Sequence, residues 1–442
     1  MSTISLRASA WLISLLALLL ILSQVARFIP GRQLAAPGGT QELPPATSLP
    51  AIRPPLAGGV YWLGEGRDQL RSSYQPLKRR VRGLSTFPRW RTRLSDRPIP
   101  LELINFVSPI VYDGRRAYLA DPFGKLYAAD VASGQVVWET QLMVESGNPF
   151  QGTLGALAIG GDYLTVGANT TYNRFLFLVD RRTGRQLGRF TAPTGFYGSP
   201  LASPEVIWAP GLNGALYILR PDDLSSPLTT LVMGSKPYSA PAHSQGMVVA
   251  GSDNGRLTAY RAADGRVVWV AGLSGRGLAV TPSIYRQWVI SCDAGGRFSL
   301  HRLKDGVLEW ATRLGESCNA SLVVDEEEGM AVAAIFPYGE NPPPKLVGID
   351  LDGRKVVWEL ELRGLSPFQI AGAGGAVFGL VRNTFRLEAE TESRLVVVDI
   401  KRGEKLHEVV LPVPDAGFLA PTEGGLLVRL LDGSLALYSY RF

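Results

Sequence analysis

Residues 124–142 read GKLYAADVASGQVVWETQL, and the same design returns as GRLTAYRAADGRVVWVAGL at 255–273, GRFSLHRLKDGVLEWATRL at 296–314 and PKLVGIDLDGRKVVWELEL at 344–362. Each copy alternates apolar and polar residues, breaks at an Asp/Gly turn, and resumes as a second alternating stretch with Trp at its middle. A period of two predicts a hairpin of strands and not a helix. Weaker copies lie at 173–190, 214–232, 393–411 and 433–442, and further strand pairs precede them, as at 108–121 and 239–253. Four strands form one unit. Trp269, Trp310 and Trp358 are 41 and 48 residues apart, so the 345 residues from 98 to 442 accommodate eight units. The expected fold is all-β, an eight-bladed β-propeller of four-stranded antiparallel blades, and a closed ring of this kind predicts a monomer.

The ring has a seam that the sequence also locates. The last copy stops at Phe442 after its third strand, and PRWRTRL at 88–94 has the form of the missing outer strand, with Trp90 in the Trp position. Pairing of 88–94 with 433–442 is therefore expected, since an unpaired edge strand invites aggregation.

Upstream of the ring the chain changes character. Residues 10–29, AWLISLLALLLILSQVARFI, are apolar, and 1–29 read as a signal anchor or a signal peptide. An uncleaved anchor predicts a single-pass protein of the cell membrane with its propeller outside the cytoplasm, periplasmic or extracellular; cleavage predicts a secreted one. Residues 30–59 are a Pro/Gly-rich linker, and 60–97 a basic lead-in that contains the closing strand. Between 67 and 97 ten Lys/Arg face Asp68 and Asp96, whereas residues 98–442 carry a net −4. The basicity belongs to the lead-in, and an acidic ring excludes a nucleic-acid reading. The run Lys78-Arg79-Arg80-x-Arg82 suits anionic lipid headgroups or a solvated linker neutralised by the propeller.

The stretch Ala128 to Trp138 resembles the AxDxx[ST]GxxxW motif of pyrroloquinoline-quinone (PQQ) repeat propellers at every fixed position, and the units with Trp269, Trp310 and Trp358 share its Gly and Trp. Trp62-x5-Asp68-x2-Arg71 followed by Trp90 is similar to the entry segment of such proteins. The resemblance covers 60–442. It implies that Trp90, Trp138, Trp269, Trp310 and Trp358 dock neighbouring blades, each packing on its own blade's glycine turn. It also implies one of two activities. Quinoprotein dehydrogenases hold PQQ over the central funnel with calcium and a disulfide between adjacent cysteines. A non-catalytic branch, similar to the propeller subunit of the outer-membrane barrel-assembly machinery, binds proteins. Cys292 and Cys318 are 26 residues apart and no CxxCH is present, so the expectation is a binding scaffold without an enzyme's cofactor, PQQ with calcium being the alternative.

Candidate sites follow from position in the repeat. Phe106, Phe150, Tyr197, Tyr238, Phe368 and Phe418 recur at the entry to inner strands, where they ring the channel mouth as inter-blade packing or as a grip for a protein partner. A cell-wall carbohydrate is a further candidate ligand of such a rim. Long second-to-third strand connections at 168–173, 337–344 and 382–393 open on the same face. Cys292 and Cys318 approach that face from units five and six, as a disulfide or as two buried thiols. The run Asp325-Glu326-Glu327-Glu328 reads as a hairpin tip, solvated or weakly calcium-binding. Two cysteines and three histidines without grouping predict no soft-ligand metal centre, and no catalytic arrangement can be placed on the repeat.

Overall fold

The computed structural model describes residues 48–56, 63–99, 108–143, 154–168, 174–273, 277, 281–318, 322–336, 344–362, 366–382, 393–412 and 416–442. Every regular element among them is a strand. In blade one Val111–Tyr112, Arg116–Ala120, Lys125–Asp130 and Val136–Gln141 pair antiparallel in chain order, inner to outer. Blades two to seven repeat this order over 154–191, 201–232, 242–272, 283–313, 317–361 and 366–410. In blade six the innermost position is shared by Ser317–Cys318 and Val323–Asp325, which both pair with Met330–Phe336.

Blade eight closes the ring as expected. Ala416–Pro421, Leu426–Leu430 and Ser434–Tyr438 take Trp90–Arg93 as their outer strand, with Trp90 opposite Leu437. A second clasp adds to this one: Gly83–Leu84 pairs with Tyr440–Arg441.

The turn before each docking strand explains why the motif needs its Asp and Gly. In blade one the Asp130 carboxylate accepts the N–H groups of Ala132 and Ser133 at 3.1 and 3.0 Å, and Gly134 takes φ +75°. Hydrogen bonding from Ser133 holds the Asp130 carboxyl below its ordinary range. Asp180 and Asp399 cap their turns in the same way. The outer hairpin's register slips at the equivalent point in six blades, for example between Ala128 and Ala129, so that the Trp is re-aimed by a bulge.

The core lies between blades. Middle strands are buried on both faces, hence their unbroken apolar runs such as Ala215–Leu219. Leu126 and Ala128 of blade one meet Leu164, Val166, Phe177 and Val179 of blade two, and the other interfaces are built alike. Each such side chain contributes about 1.5–3 kcal/mol by leaving water.

The docking tryptophans act across this interface, which corrects the expectation that each packs on its own blade's turn. Trp90 lies on Gly134 of blade one, Trp138 on Gly184 of blade two, Trp269 on Gly306 of blade five and Trp358 on Gly403 of blade seven. At each of these glycines indole carbons stand 2.5–2.8 Å from where a Cβ would be, and φ lies between +70° and +76°. The indole N–H groups donate to Val131, Arg181, Leu303 and Ile400 carbonyls at 2.9, 3.3, 2.7 and 2.9 Å. The chain passes from one blade's fourth strand directly into the next blade, so the outer strand faces forward around the ring. Trp310 packs among Leu351 and Val356 of blade six, whose turn carries Arg354 at the left-handed position (φ +51°), with Gly353 one residue early.

Candidate functional site

The lead-in runs into the channel as a plug. The inner strands of five blades each donate one backbone N–H to it: Ile159 to the Leu63 carbonyl at 2.8 Å, His243 to Gln69 at 2.7 Å, Ile284 to Leu70 at 2.8 Å, Val324 to Ser72 at 2.7 Å and Gly372 to Ser73 at 2.9 Å. Tyr74–Gln75 then adds a short parallel strand to the inner edge of blade seven. These donors sit toward the hairpin ends of the inner strands, opposite the strand entries.

Arg71 anchors the plug. Its buried guanidinium donates to the carbonyls of Pro241, Glu65 and Pro200 at 2.9, 2.7 and 3.3 Å, joining blades three and four. Burial lowers its pKa to about 10, opposed by the nearby charges of Glu65 and Asp68. Asp68 accepts the Ser72 N–H and hydroxyl at 3.1 and 2.9 Å. Arg67, Arg71 and Ser73 all have φ between +49° and +74°, a conformation that non-glycine residues keep only when surrounding bonds impose it. The Asp68 and Arg71 of the entry motif are therefore the plug's fastenings.

At strand-entry level the plug meets the aromatic rim. Tyr197 and Tyr238 stand edge to face with centroids 5.4 Å apart, and Tyr238 is 43% exposed. Glu65 lies beside them: its backbone N–H donates to Ser199 Oγ at 3.3 Å, and its carboxylate accepts the Thr281 hydroxyl at 2.5 Å. Burial raises the Glu65 pKa, and burial with the adjacent Glu65 pushes the Tyr197 hydroxyl up to about 12. A half-shielded carboxylate under two tyrosines can accept hydrogen bonds or a cationic group while the rings offer apolar faces.

Of the six rim aromatics, the structure brings Tyr197 and Tyr238 together. Phe418 is half-buried and packs on the shared core of blades seven, eight and one. Phe368 belongs to the inner strand Ser366–Ala373, while Phe106, Phe150 and most of the long connections lie outside the described residues. Glu65 and Thr281 are rim residues that sequence reasoning missed; only the entry motif around Asp68 and Arg71 signalled that this segment has a fixed place.

Cys292 and Cys318 are joined in a disulfide with Cα atoms 5.9 Å apart, both buried, which ties blade five to blade six. The basic run is partly neutralised: Arg80 pairs with Glu328 at 2.8 Å and Asp399 at 3.8 Å, Arg79 lies 4.1 Å over the Phe442 ring, and Lys78 and Arg82 are exposed. No group of three or more His, Cys, Asp or Glu side chains converges as a metal site among the described residues. No described helix is long and apolar enough to cross a membrane, and residues 10–29 lie outside the described set.

Comparison with known proteins places these features in context. A family model described as outer membrane protein assembly factor BamB matches residues 87–226 and 227–364, more than half of the chain. Outer membrane protein assembly factor BamB of Yersinia pestis is 22% identical over 265 residues, which cover 56% of this chain and 64% of that protein. The match thus spans just under two thirds of the relative's length. The crystal structure of BamB from Moraxella catarrhalis superposes with a TM-score of 0.58 at 15% identity, covering 80% of this chain and 98% of that one. Quinohemoprotein alcohol dehydrogenase from Comamonas testosteroni gives 0.65 at 12% identity, covering 86% and 80%. At these identities the two structures show a shared fold and no more.

Proposed function

The chain belongs to the family of outer membrane protein assembly factor BamB, and on that premise we propose that it is a non-catalytic scaffold of the cell envelope that binds a protein partner on its strand-entry face. The observation that carries this reading is the Tyr197–Tyr238 pair above Glu65, a half-buried ring beside an exposed one, with a polar floor on a rigid ring of blades. Aromatic side chains on a pre-organised support bind at low entropic cost. Residues 10–29 tether the protein to a membrane in this reading, and the exposed Lys78 and Arg82 face anionic headgroups.

The quinone alternative does not fit the residues present. The bonded cysteines are separated by 26 positions, and no group of three or more His, Cys, Asp or Glu side chains is arranged to hold a metal ion among the described residues. Thr281 and Arg71, not a quinone's partners, satisfy the polar groups of Glu65 at the channel wall.

Cross-linked capture from envelope extracts tests the proposal. The Tyr197→Ala/Tyr238→Ala protein should recover at least about tenfold less of a partner held by the wild type, in keeping with aromatic hot spots worth about 2 kcal/mol or more. Equal recovery, from a variant with unchanged thermal unfolding, removes the rim as the site.

A further inference from the structure

The cations of the lead-in differ in what they touch. Arg67, Arg80 and Arg91 are paired with Asp68, Glu328 and Asp432. Arg79, Arg82 and Arg89, together with Arg441 of the second clasp, are exposed and have no carboxylate within ion-pair distance among the described residues. The backbone that carries them is fixed to blade eight: the Arg82 N–H donates to the Arg441 carbonyl at 2.7 Å, the Ser85 N–H to the Ser439 carbonyl at 2.8 Å and the Arg89 N–H to the Leu437 carbonyl at 2.7 Å. The Arg441 guanidinium donates to Thr86 Oγ1 at 3.2 Å.

Two phenylalanines share this stretch. Phe87 is 80% exposed, matched among the described large apolar side chains only by Val232, and Phe442 is 45% exposed beneath the Arg79 guanidinium at 4.1 Å. With Ser85 and Arg89 bonded to blade eight on either side, the Phe87 ring is held in water, at a cost that a bound apolar phase would recover. Guanidiniums without carboxylates favour an anionic surface, and exposed rings favour one with an apolar layer behind it. A bilayer with anionic headgroups offers both, whereas a soluble phosphate offers only the first.

The position agrees. In an antiparallel four-stranded blade the inner and outer hairpin turns lie at one end, opposite the strand entries. Leu49 joins the ring at that end, bonded to Ala263 in the outer turn of blade four. The clasp region is fastened there too, by the Val81 N–H to the Gly374 carbonyl at 2.9 Å in the inner turn of blade seven.

We infer that the clasp region is a membrane-contact patch. Phe87 and Phe442 enter the headgroup layer of an anionic bilayer, Arg79, Arg82, Arg89 and Arg441 bind its phosphates, and the ring stands with its hairpin face toward the lipid and the Tyr197–Tyr238 face away from it. The inference rests on the membrane reading proposed above and deepens it, since it assigns the lipid-facing side of the ring and leaves the opposite side to the protein partner.

A label at position 87 tests this. The two cysteines of the chain are bonded to each other, so Phe87→Cys gives the full chain one free thiol for an NBD fluorophore, and Val232→Cys, equally exposed on the outer strand of blade three, gives the control. With vesicles of mixed phosphatidylcholine and phosphatidylglycerol, the label at 87 should shift to the blue and be quenched by doxyl lipid, while that at 232 stays in water. On phosphatidylcholine alone both should stay in water. Arg82→Gln and Arg89→Gln, added to the labelled chain, should lower the ratio of quenched to unquenched label about fivefold for each charge removed. Flotation of the same samples separates the patch from the tether. A chain that floats with both kinds of vesicle while the label at 87 stays in water overturns the patch and leaves the tether. One that floats only with anionic vesicles, its label quenched, overturns the tether and leaves the patch; one that floats with neither overturns both. Equal quenching at 87 on neutral and anionic lipid overturns the part given to the arginines, and release of the label by inositol hexakisphosphate at equal phosphate concentration overturns the bilayer as the occupant.

Discussion

Two kinds of blade interface coexist in this ring. At four junctions, eight to one, one to two, four to five and six to seven, a Trp lies flat on a left-handed glycine of the following blade. At the others the pairing is altered, and something else fills its place. Between blades three and four Thr229 holds the register position of the Trp, and Leu231, two residues further on, reaches Gly265 together with Leu49 from the linker, whose N–H donates to the Ala263 carbonyl at 2.7 Å. Between blades five and six, where Arg354 replaces the glycine, the Cys292–Cys318 disulfide crosses the same junction. Between seven and eight His407 occupies the Trp position and packs on Gly83 of the second clasp. Between two and three Gly188 meets only Leu224. At three of these four junctions another part of the chain supplies the contact that the repeat has lost.

The largest expected effect breaks an intact junction. Trp358→Ala removes a nearly buried indole and its bond to Ile400, and should cost about 3–5 kcal/mol in urea unfolding. A substituted junction should be less costly to disturb. Leu49→Ala should cost about 2 kcal/mol, since its environment is closed but its segment is short, and an effect as large as that of Trp358→Ala would erase the distinction between the two kinds. Smallest is a pH effect at the seam. Burial, with the positive Arg441, lowers the His407 pKa from its ordinary 6.5, so the folded state favours the neutral ring. Unfolded chains then bind the proton more readily, and the contribution of His407 is intact above about pH 6.5 and declines as pH falls below it. Buried His243 and His301, lowered to about 4, add a larger loss over the same acid range. Comparing Tm against pH for wild type and His407→Gln isolates the seam, and parallel curves would assign the whole decline to the other two histidines.

The sequence made the ring legible because strand alternation, Asp/Gly turns and Trp spacing are local properties; closure by Trp90 followed from the one incomplete repeat. What it could not show depends on geometry across blades. Alternation says where the Trp lies but not which neighbour it faces, so the glycine it rests on was misassigned by one blade. Cys292 and Cys318 needed their 5.9 Å separation to become a bond. The plug is held chiefly by carbonyls of residues 63–73, and carbonyls carry no side-chain signature. Leu49 is one apolar residue in a Pro-rich stretch and gains meaning only from the gap it fills.

That plug changes how the ring comes apart. Repeat arrays whose units touch only their neighbours lose structure piecemeal. Here one peptide is bonded to blades two, four, five, six and seven and, within twenty residues, supplies both clasps of blade eight. Opening the seam frees the hub, and releasing the hub loosens five blades, so the eight units are coupled into a single cooperative transition.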